Sequence, residues 1–339
     1  MGKCGRLREE FHKCNLRLTY DYPDDFILHQ WQSDSHVDPC YLIYRYLFFI
    51  VLSVLAYCTV RWNSNLPLEQ KLVSLAYFTN WSFLLCMYYG FLGVLIVTKA
   101  YIKQHKGNSH IVPDFPRLVP TYWVAQNVVT ELSFGVSITF WALVHASETP
   151  PVGRFTWALH IWNSSLLLMD FFIVAVPVRI LHVYFSVVIG VVYSIFSYVY
   201  YAAGGKRSDG KPYVYKLLNW KDNPFKAAVM CLAAICFLLV MRVFMFGLFR
   251  LRVWIYYTYY DEANLGDNIR VGGRETPSSF LNRNHPLVFH QARSIDDYRW
   301  YSSDSIVTER MYRVIGKQDS CDQGMLLKSH RVPDDSRTL

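Results

Sequence analysis

Apolar runs alternate with short polar links along most of this chain. A spanning helix needs about 20 mostly apolar residues, and six runs qualify, over 41–60, 72–97, 122–145, 155–176, 183–201 and 227–248. The links carry helix breakers: "NSNLP", "HKGNSHIVPDFP", "SETPPVG" and "GGKRSDGKP". The fourth link, "PVRILH", is shorter, and Pro177, Arg179 and His182 predict a tight polar turn, with a kinked continuous helix as the alternative. The pattern predicts an all-α polytopic membrane protein: a head over 1–40, a bundle of six transmembrane helices over 41–248, and a polar, largely disordered tail over 249–339.

Several polar residues interrupt the oil. In "LHIWNSSLLLMD", His160, Asn163 and Asp170 fall on one helical face. Polar groups in hydrocarbon turn toward the bundle interior, so "NWS" at 80–82 and "NSS" at 163–165 are read as interior positions rather than glycosylation sites. At about 1.5 Å of rise per residue, Thr79, His160 and Asn163 share a layer on the side away from the termini. Glu131, Asp170 and Arg242 form a second layer toward the terminal side. A structural ion-pair cluster is expected there, with a proton or ion pathway as its rival.

Charge changes the picture little. The net charge of +8 comes with no zinc spacing, RNP-like motif or basic helix, so no nucleic acid partner is expected. Lys and Arg at membrane borders account for it. The terminal side collects twelve Lys and Arg against nine opposite, which favours cytoplasmic termini. The eight cysteines are scattered and read as free thiols, and neither a cofactor box nor a metal site is implied. Met1, Gly2, Lys3 and Cys4 invite acylation, but Arg6 stands where the consensus needs Ser or Thr, so a plain basic head is expected. "YRVI" at 312–315 is a short trafficking-type motif.

The stretches "EFHKCNLRLTYDYPDDFILHQW", "YFTNWSFLL", "HIWNSSLLLMDFFIVAVPVRILHVYFSVVIGVVYSIFSYVYYAAGG" and "GKPYVYKLLNW" resemble the rolling stone family of animal membrane proteins, over about residues 8–250. The resemblance implies a multi-pass plasma-membrane protein of a kind linked to myoblast fusion. A more distant similarity reaches the androgen-induced membrane hydrolases, which cleave lipid esters with an intramembrane threonine and histidine. Their threonine motif looks like Phe78-Thr79. Their N-H-x-x-H-T motif, laid on this chain, puts the first histidine on His160 and the catalytic one on Asn163. A neutral amide cannot take the nucleophile's proton, so His160 must have assumed the role or the chemistry is gone.

Three readings therefore stay open: a protein without proven catalysis acting at the cell surface in membrane or myoblast fusion, a lipid ester hydrolase with Thr79 as nucleophile and His160 as base, and a small-solute or proton carrier using Glu131, Asp170 and Arg242. The partners expected are the bilayer, a lipid-like ligand within the bundle, and unidentified proteins.

Overall fold

The structure is a computed structural model, and it describes residues 10–20, 23–32, 36–62, 67–106, 116–144, 154–207, 209–256 and 258. Residues 10–17 belong to a separate small unit containing a 3-10 turn, Lys13–Leu16. There Cys14 is disulfide-bonded, a departure from the free-thiol expectation that its spacing did not signal. Cys40, Cys58, Cys86, Cys231 and Cys236 are free. Gly2, Cys4, "YRVI" and the tail beyond 258 lie outside the described residues.

The second unit is helical: α1 (Pro39–Trp62), a short α2 (Leu68–Ser74), α3 (Phe78–His105), α4 (Leu118–Thr139), α5 (Arg154–Ile173), α6 (Val183–Ala202) and α7 (Pro224–Ile255). Of the six long helices, α1, α3, α6 and α7 are long and apolar enough to cross a membrane by length and composition. A physical reason sets α4 apart. It packs against α3, α5, α6 and α7, and buries Gln126, Asn127, Thr130, Glu131 and Ser133. A helix enclosed by protein faces little lipid and needs less apolar surface.

Two boundaries differ from the hydropathy pattern. The run at 72–97 is broken at 75–77, because Asn80 Nδ2 takes the Ser74 carbonyl (2.5 Å) and Trp81 Nε1 takes that of Leu75 (2.8 Å). These side chains satisfy carbonyls that a helix end otherwise leaves open. The helix α7 continues past residue 248 to Ile255 and carries a fully buried arginine, Arg252, in its last turn.

The fourth link is a true break. The chain leaves α5 at Ile173, runs extended, and re-enters helix through the 3-10 turn Ile180–His182. Its carbonyls are met from three directions. Head residues supply Trp31 Nε1 to Phe172 O (2.9 Å) and Gln30 N to Ile173 O (2.7 Å), with an isolated antiparallel bridge between His29 and Val174. Arg252 donates to Phe171 O (2.6 Å) and Val176 O (2.9 Å). Trp123 of α4 donates to Pro177 O (2.7 Å).

Candidate functional site

Asp170 sits three residues before the end of α5 and is 2% exposed. Its partner is Arg45 in the second turn of α1, Nη1 to Oδ1 at 2.6 Å. Tyr44 Oη donates to the same carboxylate at 2.9 Å and Tyr89 Oη at 2.5 Å, while Arg45 Nη2 donates to Tyr122 Oη at 3.0 Å. The guanidinium also lies over the rings of Phe48, Tyr89 and Tyr122 at 5.3–5.6 Å, a favourable place for a delocalised cation. Gly93 makes the room: a Cβ there would stand 1.8 Å from Arg45 Nη2.

Arg242 of α7 pairs instead with Glu131 of α4, and its Nη1 donates to Asn127 Oδ1 at 2.7 Å. Asn127 and Glu131 are one turn apart, so α4 presents a carboxylate and an amide oxygen to one guanidinium. Asp170 and Arg242, grouped by estimated depth, thus belong to two different ion pairs. Arg45 was missed in the sequence; a lone arginine in "YLIYRYLFF" facing "YYGFLGV" on the next long helix was its signal.

The other polar layer is also divided. His160 is buried, and its ring stacks on Phe140 (centroids 3.8 Å apart, planes 8° apart). Asn163 donates to Ser133 Oγ at 3.0 Å and hydrogen-bonds Cys86. Ser164 reaches Ser137 Oγ at 2.6 Å and the Ser133 carbonyl at 3.1 Å, and Ser137 Oγ donates to His160 O at 2.8 Å. This ladder joins α4 to α5. Ser164→Val is expected to cost about 1 kcal/mol, measured by denaturant titration in detergent.

Thr79 lies in the first turn of α3 and lines a half-open apolar cavity of about 430 Å³ formed with α4, α6, α7 and the segment around Tyr215. Its hydrogen-bond neighbour is Tyr215, whose Oη also accepts from Phe78 N at 3.0 Å. Burial pushes the Tyr215 phenol above its ordinary value, so it stays neutral at physiological pH. The cavity wall includes Phe140, the ring on which His160 is stacked, and not His160 itself. Among the described residues no group of three or more His, Cys, Asp or Glu could hold a metal ion.

A family profile described as "Protein rolling stone" matches residues 2–260. The chain belongs to the rolling stone family. A relative, Protein rolling stone of Drosophila melanogaster, is 25% identical over 264 residues, covering 74% of this chain and 90% of the fly protein. No solved structure matches. The stretches quoted from the sequence now have places in the fold. "YFTNWSFLL" holds the α2–α3 break, and "HIWNSSLLLMDFFIVAVPVRILH" holds the serine ladder, Asp170 and the clamped exit of α5.

Proposed function

We propose that this rolling stone family protein is a multi-pass protein of the plasma membrane, with cytoplasmic termini, that acts in membrane or myoblast fusion without catalysis. The observation carrying the non-catalytic part is the neighbourhood of Thr79. A threonine becomes a nucleophile only when an adjacent base takes its proton, and the group bonded to Thr79 is a neutral phenol. His160 packs its ring on Phe140, and Asn163 donates its amide nitrogen to Ser133. Glu131 and Asp170 are each tied to an arginine, an arrangement suited to joining helices rather than to carrying a solute.

Rescue of fusion in myoblasts lacking the chain tests this reading. Wild type and Thr79→Ala are expected to restore fusion equally. No rescue by wild type would overturn the fusion role, and rescue by wild type alone would overturn the non-catalytic one. A second reading, an intramembrane lipid ester hydrolase with Thr79 as nucleophile and His160 as base, is favoured by one observation: Thr79 lines a cavity of ligand size. A fluorophosphonate probe separates the two. It is expected to leave wild type unlabelled, whereas labelling lost in Thr79→Ala would establish the hydrolase.

A further inference from the structure

We propose that the cavity at the end of the bundle away from the His29–Val174 bridge binds one long-chain fatty-acid anion, its tail between α4, α6 and α7 and its carboxylate at the basic 202–226 loop. The lining sets the tail. Leu132, Val136, Phe140, Phe237 and Leu238 give an apolar wall, and Gly135, Gly190, Ala233 and Ala234 keep it wide. No Lys, Arg, Asp or Glu is among the lining residues, so an ionised headgroup must stay outside, because an unpaired charge in such a medium is strongly disfavoured. At about 430 Å³ the volume lies near the lower end of the range, about 300–1,000 Å³, occupied by small-ligand sites. That suits a single chain better than a two-tailed phospholipid.

The sign of the headgroup follows from the loop segment that lines the cavity. Tyr215, Leu217 and Leu218 line it, and exposed Lys216 stands between the first two. The same loop carries Lys206, Arg207, Lys211, Lys216, Lys221 and Lys226 against Asp209 and Asp222. Its carboxylates are already engaged. Asp209 meets Arg207 (2.5 Å) and Lys211 (3.4 Å), and the arginine hydrogen bond holds its carboxyl well below the usual range. Asp222 accepts from Asn219 at 2.8 Å. A net positive loop at the membrane border attracts anionic amphiphiles, and the hydrogen-bonded Thr79–Tyr215 hydroxyl pair keeps one O–H to donate at the junction of tail and head.

This goes beyond the fusion reading, and binding to purified protein can be scored whether or not fusion is rescued. The full chain, in phosphatidylcholine nanodiscs, is irradiated with a diazirine-bearing palmitate. Label is expected in 132–139 of α4, in residues 140–143 that follow it and in 230–238 of α7, suppressed about tenfold by excess oleate but not by oleyl alcohol. Ala233→Phe fills the cavity and should lower labelling by a similar factor. Gly135→Leu is the second variant, since a Cβ there meets only ordinary contacts, at 3.7 Å from Phe237 and 3.8 Å from Met241. Lys211→Glu with Lys216→Glu should lower both labelling by the palmitate probe and competition by oleate. Label spread along α1 and insensitive to both cavity variants would overturn the site. Oleyl alcohol competing as well as oleate would overturn the anionic headgroup.

Discussion

Asp170→Leu is expected to destabilise the folded bundle by about 3–5 kcal/mol, because it leaves the fully buried Arg45 guanidinium without its counter-charge. Arg45→Leu should cost a similar amount for the reciprocal reason. The double variant should be markedly milder than either single change, since replacing a buried pair by apolar groups of like volume is often close to neutral. Unfolding of purified protein in a denaturing-detergent titration gives the four corners of the cycle. Strictly additive single effects would sink the pairing. Gly93→Ala makes the same point without touching a charge. Its methyl would occupy the place of Arg45 Nη2, and it should fall near the Arg45→Leu value, whereas an alanine in an exposed helix interior would instead stabilise by about 1 kcal/mol.

The second large effect is expected at Arg252. Arg252→Met keeps the apolar stem but strands the carbonyls of Phe171 and Val176 in a buried setting. At about 1.5–3 kcal/mol for each charge-assisted bond, a loss on the order of 3 kcal/mol follows after partial relaxation. Arg252→Lys should recover only part of it, because an ammonium lacks the planar fork that serves two acceptors at once. Hydrogen exchange locates the damage. Amides of 27–32 and 171–176 should exchange faster together, since Gln30 N and Ala175 N bond across that same join. A change confined to the end of α7 would mean that Arg252 serves only its own helix.

Much of this architecture is legible in the residue pattern, and the gaps have physical causes. Four of the apolar runs match helical segments to within a few residues, because hydrophobic length is set by the bilayer, and that at 227–248 stops seven residues short of the end of α7. The run at 72–97 misleads: the α2–α3 break is made by Asn80 and Trp81 side chains rather than by glycine or proline. Partners across helices are harder to read. Depth alone places Arg242 and Asp170 in one layer, but which face each helix turns inward decides that Arg242 meets Glu131. Thr79 and His160 share a layer in the same sense, yet one opens on the cavity and the other stacks on Phe140. Arg45 was hidden by proximity to a helix start, where arginines usually reach for headgroups.

The clamp on the exit of α5 also imposes an order on synthesis. The head and the Pro177 turn leave the ribosome well before Arg252, so their join is provisional until the final helix arrives with its two donors. A product truncated ahead of residue 252 would keep bare peptide oxygens at the membrane border. The last membrane helix thereby completes the join, and forms terminated ahead of residue 252 are expected to be cleared by cellular quality control rather than accumulate.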